Sequence, residues 1–216
     1  MDAKIADKVD TFFDSYRLRK YAKGQVLILN GDAPEYVYHL LSGRVKQYDV
    51  SYRGDEVILN TFQPPAFFPM SLAINQLPNP YTYEAETDVE LRQAPAKDVV
   101  VFIKENPDVL FDLLTRVYRG TDGMLARMSH LMASSAKGRL MFEILLSCRR
   151  YGEENTDGSY TLIMNEKELA ARAGLSRETV SREMHKLIEE KLAVLQNGTI
   201  TIHDMGEFEA KLGKVI

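Results

Sequence analysis

The hydrophobic period of this chain changes along its length, and that change limits the folds open to it. From about Tyr21 to Gln93 the apolar residues come in short runs, rich in β-branched and aromatic side chains and cut by Gly and Pro. Val26–Leu29, Tyr36–Leu41, Val45–Val50 and Glu56–Asn60 read as strands. Asn30-Gly31-Asp32, Ser42-Gly43 and Arg53-Gly54-Asp55 supply turns between them. Short strands at close, regular spacing predict a β-barrel, sandwich or jelly roll, with a short helix over Ile5–Tyr16 ahead of it. From about Pro107 the period becomes helical. Leu110, Leu114, Val117, Thr121, Met124, Met128 and Leu131 follow one another at spacings of 4, 3, 4, 3, 4 and 3, the a/d pattern of a heptad seam. Pro107 suits the first turn of such a helix.

The stripe is either the seam of a homodimer or the inner face of an amphipathic helix lying on its own β-domain. Two features favour the seam. Leu113, Leu125 and Met132 offer a second apolar edge for the helix's own domain, and the segment lies between two domains. Gly120 and Gly123 each cost a helix about 1 kcal/mol relative to Ala. They either permit close approach of two helices or mark a local weak point.

Composition narrows the function. The 216 residues allow one large domain or two small ones. With 27 Lys+Arg against 31 Asp+Glu the net charge is −4, and 45% of residues are hydrophobic. That mix excludes a disordered polyelectrolyte and a chain-wide basic coat for nucleic acid. Cys148 is the single cysteine, so an internal disulfide, a Cys-rich zinc site and an iron–sulfur cluster within the chain are excluded. A reducing, cytoplasmic location is expected. The N-terminus alternates in charge without the apolar core of a signal peptide, and no apolar stretch approaches the ~20 residues of a membrane span. The four histidines, His39, His130, His185 and His203, lack metal-ligand spacing. His39 or His130 could serve as a haem axial ligand, but a histidine among apolar residues is ordinarily a packed one. Nothing matches a Gly-rich phosphate loop, a G-x-S-x-G elbow or a paired-carboxylate site, so no enzyme activity and no cofactor are expected.

The sharpest signal lies between Asn165 and His203. Ser134-Ser135 breaks the heptads, a helix follows over Ala136–Arg150, and Tyr151–Ser159 reads as a polar loop. Asn165 with Glu168 resembles a capping box, and Gly174 is a natural stop for the helix Glu166–Ala173. Ser176 caps a second helix from Arg177 to about Glu190. Two short helices joined by a tight Gly-containing turn make a helix-turn-helix. Asn197-Gly198 between alternating strands signals a type I′ hairpin, which completes a winged helix. The second helix has a polar face of Arg177, Glu178, Ser181, Arg182 and His185. In a major groove such a helix reads base edges. Arg suits the acceptors of guanine, Glu can accept from cytosine, and Ser176 and Thr179 suit phosphate oxygens. The plain alternative is a solvated helix face with i, i+4 pairing; turn, cap, wing and polar set occurring together favour DNA.

Leu175-Ser-Arg-Glu-Thr-Val-Ser-Arg182, preceded by Glu168-Leu-Ala-Ala-Arg-Ala-Gly174, resembles the DNA-reading motif of the CRP/FNR family of bacterial transcription regulators. Lys23-Gly24-Gln-Val26, Asn30-Gly31-Asp32, Tyr38-His-Leu-Leu-Ser-Gly43-Arg-Val45 and Gly54-Asp-Glu-Val-Ile58 are similar to that family's cyclic-nucleotide-binding-type β-roll. The resemblance covers nearly the whole chain. It implies an α+β protein with a jelly-roll-like sensor β-roll over 1–106, a long dimerisation helix over 107–133 and a winged helix-turn-helix over 134–216. Arg177, Glu178 and Arg182 match the family's three base-reading positions, in the pattern associated with TGTGA-like half-sites. The implied partners are double-stranded DNA, a second copy of the chain and, for an activator, RNA polymerase.

The β-roll departs from the cyclic-AMP pattern. Phe67-Phe-Pro-Met-Ser71 stands where a Gly-Glu pair is expected, and Asn79-Pro80 stands in place of an Arg-Ser pair. A cyclic phosphate wants a bidentate Arg and nearby N–H donors. Met124 and Leu125 replace the adenine-facing polar pair. Cyclic AMP is therefore not expected as effector. Phe67, Phe68, Met70, Ser71, Asn79, Tyr81, Met124 and Leu125 are candidates to line a pocket for an apolar or aromatic effector; the alternative is that the aromatic stretch fills the β-roll and no effector binds. The expected mechanism is a population shift in which an effector alters the seam and the segment Met132–Ala136. Two other readings stand beside it: a constitutive dimer whose β-roll is a scaffold or docking module, and an enzyme on a cupin-like barrel, which would need clustered metal ligands.

Overall fold

The computed structural model describes residues 2–33, 35–52 and 54–212. The chain divides into two compact units between Arg119 and Gly120. The first holds α1 (Ala3–Asp14), β1 (Arg17–Tyr21), β2 (Val26–Ile28), β3 (Tyr36–Ser42), β4 (Val45–Val50), β5 (Glu56–Phe62), β6 (Ala66–Phe68), α2 (Met70–Asn75), β7 (Thr82–Ala85), β8 (Val89–Pro95), α3 (Ala96–Glu105) and the start of α4 (Pro107–Ala133). Its strands make two four-stranded antiparallel sheets, in the orders β1-β8-β3-β6 and β2-β7-β4-β5. Leu40, Val45, Phe68, Tyr83 and Leu91 fill one core. Val9, Phe13, Val37, Phe67, Val99 and Ile103 join α1 and α3 to the sheet in another.

The strands expected from alternation lie within two residues of β2, β3, β4 and β5. Six elements of this unit are not among the expected ones: β1, β6, α2, β7, β8 and α3. β1 is Arg17-Leu-Arg-Lys-Tyr21, mostly cationic, and owes its conformation to pairing along its length with β8. β6 and α2 are short and sit in the Pro-rich stretch. The first helix starts two residues earlier than expected, because the Asp2 carboxylate accepts from the Lys4 N–H at 2.9 Å and caps it. It stops at Asp14, where the chain turns into β1. Of the turn expected at Arg53-Gly54-Asp55, Arg53 lies outside the described residues. Gly54 has a positive φ of 85°, and Ser51 N–H donates to the Asp55 carbonyl at 2.8 Å.

The second unit holds the rest of α4, α5 (Ala136–Tyr151), β9 (Glu153–Glu154), β10 (Tyr160–Ile163), α6 (Glu166–Ala173), α7 (Arg177–Glu189), β11 (Val194–Gln196), β12 (Thr199–Ile202) and α8 (Met205–Leu212). The segment expected to be a loop over Tyr151–Ser159 contains β9, which pairs with β10, and the small sheet runs β11-β12-β10-β9. Leu140, Ile144, Leu145 and Cys148 of α5 pack with Leu169 of α6, Val180, Met184 and Leu187 of α7, Ile200 and Ile202 of β12, and Phe208 of α8.

The long helix has the bounds that its heptads predict. Its first turns are tied within the first unit: Lys8 pairs with Asp108 at 2.6 Å, and Arg116 donates to Asp112 at 2.7 Å and to the Pro65 carbonyl at 2.6 Å. Its last turns are tied within the second, through Arg127–Glu143 at 2.9 Å and a stack of His130 on Phe142 at 4.1 Å. Leu110, Leu114, Val117, Met124, Met128 and Leu131 are 41–65% exposed, and Thr121 is exposed with them. The expected inner edge is corrected. Leu113 does pack on the first unit's core, but Leu125 and Met132 stay 57% and 83% exposed. They belong with exposed Phe111 and Tyr118 to a second line at seven-residue intervals, one position beside the a/d seam, so the apolar face of α4 is broader than the heptads alone suggest.

Candidate nucleic-acid interface

The helix pair α6–α7 is built from local signals that work together. Asn165 Oδ1 accepts from the Glu168 N–H at 3.0 Å and starts α6. Gly174 ends it in the left-handed region at φ 62°, where a residue without Cβ is at ease. The chain reverses at once: Leu175 N–H donates to the Ala170 carbonyl at 3.1 Å. Ser176 Oγ accepts from the Thr179 N–H at 3.2 Å and starts α7. Val180, Met184 and Leu187 bury one face of α7, and that burial sets the rotation of the helix. The opposite face is thereby turned outward. It carries Arg177, Glu178, Ser181, Arg182, His185 and Lys186, which line one open hollow with Glu166 of α6. The hairpin β11–β12 turns on Asn197 and Gly198, with φ of 51° and 75°, as a two-residue type I′ turn requires.

The charges on this face are arranged. The side chains of Arg177 and Arg182 are 72% and 62% exposed. Arg177 lies 3.8 Å from Glu166. Arg182 Nε donates to Glu183 Oε1 at 3.2 Å, and Lys186 Nζ donates to both oxygens of the same carboxylate at 3.0 and 2.9 Å. The Lys186 hydrogen bonds, then that of Arg182, hold the Glu183 carboxyl below the usual range. The Glu178 carboxyl is held low by its own backbone N–H at the helix start and by the Ser176 hydroxyl, so it is a carboxylate acceptor at neutral pH. The six expected DNA-contacting residues therefore fall together at one helix start: Ser176 is the cap of α7, and Arg177, Glu178, Thr179, Ser181 and Arg182 lie in its first two turns. Glu166, Glu183 and Lys186 are additions from the structure. The spacing Glu183 to Lys186, one helical turn apart, was the available sequence signal for two of them.

Within the first unit, the residues expected around an effector are divided between two cores and the surface. Phe67 and Met70 belong to the core against α1 and α3, Phe68 to the core between the sheets, with Tyr81 packed on it. Ser71 is exposed. Asn79 is 1% exposed and closes its loop: its amide donates to the Leu29 carbonyl at 2.7 Å and to the Tyr81 carbonyl, and accepts from the Tyr81 N–H at 3.1 Å. Met124 and Leu125 lie in the other compact unit. The aromatic stretch is internally packed, with Phe62, Phe68 and Tyr83 stacked at centroid distances of 4.7–6.0 Å. His39 is 2% exposed and packs on Phe13 at 4.9 Å; His130 stacks on Phe142, with Nδ1 3.1 Å from Ser134 Oγ. Cys148 is buried, and burial pushes its thiol up to about 11. Among the described residues no cluster of three or more His, Cys, Asp or Glu could hold a metal ion, and no helix is long and apolar enough to cross a membrane.

Comparison with known proteins places this geometry. The sequence model of the cyclic nucleotide-binding domain matches residues 18–106, and that of the Crp-like helix-turn-helix domain matches residues 139–211. The global nitrogen regulator of Nostoc sp. is 30% identical over 190 residues, covering 85% of this chain and 83% of that protein. The chain belongs to the CRP/FNR family of transcription regulators. Within that family, the cyclic AMP receptor protein of Thermus thermophilus is 26% identical over 204 residues, covering 94% of this chain and 91% of the relative. A solved CRP/FNR-family transcriptional regulator from Thermus thermophilus shares the fold, with a TM-score of 0.76 at 24% identity over 93% of this chain and all of that one. The family resemblance of the β-roll and of the reading helix is thus found over both compact units. These CRP/FNR relatives are DNA-binding transcription regulators and not enzymes.

Proposed function

We propose that this regulator acts as a homodimer in the cytoplasm, reading a near-palindromic site with TGTGA-like half-sites through two copies of α7. The observation that carries this reading is the reading face itself: Arg177, Glu178 and Arg182 stand exposed on one helix whose rotation is fixed by buried Val180, Met184 and Leu187. The homodimer is supported by the exposed stripe on α4, a run of apolar side chains long enough for a two-stranded seam. Half-sites about one helical turn apart match two-fold related helices. Replacing Arg182 with Ala is expected to relax base preference at one position in each half-site, at about 1–3 kcal/mol. Selection from random duplexes checks it, and an unchanged consensus would remove Arg182 from the reading set.

The β-roll is not built to hold cyclic AMP in the usual way, although a relative bears that ligand's name. A cyclic phosphate needs a cationic fork and N–H donors; here Pro69 and Pro80 lack N–H groups, Met70 is apolar, and the Asn79 amide is committed to its own loop. A second reading follows from the stacked Phe62, Phe68 and Tyr83: the interior is filled, and the β-roll is a ligand-free scaffold or docking module. Thermal-shift screening with nucleotides and aromatic metabolites separates the two. An effector at 100 times its dissociation constant stabilises the fold by about 2.7 kcal/mol, whereas the scaffold responds to none of them. An RNA polymerase contact belongs to the reading only if the regulator activates.

A further inference from the structure

The cations of the reading face are held by carboxylates, and one carboxylate holds two of them. Glu183 is 5% exposed, sits next to Arg182 and one turn before Lys186, and takes hydrogen bonds from both. The bond from Arg182 uses only Nε, which leaves the four N–H groups of the terminal nitrogens for the bidentate pairing that guanine offers. Lys186, by contrast, gives its ammonium to both oxygens of Glu183. We propose that Glu183 is a positioning residue for sequence discrimination: it braces Arg182 through Nε and withdraws Lys186 from pairing with any phosphate. The proposal rests on α7 being the reading helix. Its physical basis is that non-specific affinity grows with each phosphate a protein neutralises, whereas base contacts carry the discrimination. A carboxylate that occupies one cation and orients another lowers the first term and sharpens the second.

The test is fluorescence anisotropy of the full chain on two duplexes, the site selected by the wild-type protein and a scrambled one, across a sodium chloride series. Glu183→Gln keeps the shape and removes the charge. It is expected to tighten binding to the scrambled duplex, to steepen the slope of log K against log salt there by about one, since each new phosphate pair contributes ~0.9, and to lower the site-to-scrambled ratio about tenfold or more. Lys186→Gln in the Glu183→Gln background should restore the wild-type slope. An unchanged ratio and slope in Glu183→Gln would overturn the proposal. Lys186→Gln in the otherwise native chain tests it without touching Glu183: a slope change well under one unit is expected, and loss of a full unit, meaning that Lys186 already sits on a phosphate, also overturns it. If the wild-type chain selects no site at all, the reading helix itself is misassigned; if it selects one and the variants behave alike, only the role of Glu183 falls.

Discussion

At the scale of single residues, His39 is expected to make stability depend on pH. Burial lowers its pKa; Asp10 at 3.6 Å and Asp14 oppose that fall, while Arg116 and Arg92 add to it. A histidine whose folded pKa lies below its unfolded value of about 6.5 favours the neutral ring, so the folded state loses stability as pH falls through that range and the loss levels off below the folded pKa. Denaturant unfolding at pH 7.5 and 5.5 should show the drop, and His39→Phe, which keeps a ring against Phe13, should remove His39's share of it. An equal drop in both proteins would assign it to other groups. At the same scale, α7 was legible in the sequence because its determinants are local: a cap at Ser176 and a left-handed Gly174 ahead of it. The Asn79 loop depends on which surfaces meet, and local sequence does not encode that; the tie of Lys186 to Glu183 is local, with its signal in the i, i+3 spacing.

Elements show the same division. Strands with their own alternation were legible, whereas β1 and β6 exist because a neighbouring strand offers them hydrogen bonds. On α4 the heptads gave the helix bounds, but spacing alone assigned Leu125 and Met132 to an inner edge, and both are exposed. Gly120 and Gly123 lie beside the boundary between the two compact units. A Cβ at Gly120 would meet nothing within 4 Å, and one at Gly123 only an arginine nitrogen of Arg150 at 3.9 Å. Gly120→Ala together with Gly123→Ala should therefore raise helix stability by roughly 0.5–1 kcal/mol per site. Sedimentation and thermal melts of the double variant distinguish the two roles of these glycines. A higher melting temperature with unchanged self-association marks a weak point in the helix; weakened self-association marks a close helix–helix approach.

For the whole molecule, the net charge of −4 fits a regulator that discriminates instead of one that coats DNA. Long-range attraction to phosphate is weak for such a chain, and in the proposed reading affinity rests on a few placed side chains doubled by a dimer. The central claim is that two copies of α7 read a symmetric site together. Selection of the full-length protein against a random duplex library, followed by sequencing and a titration of the winning duplex for stoichiometry, tests it most directly. Two inverted half-sites with centres about one helical turn apart, bound by two chains per duplex, are predicted. Enrichment of a single asymmetric half-site bound by one chain, or no enrichment over the starting library, would contradict it.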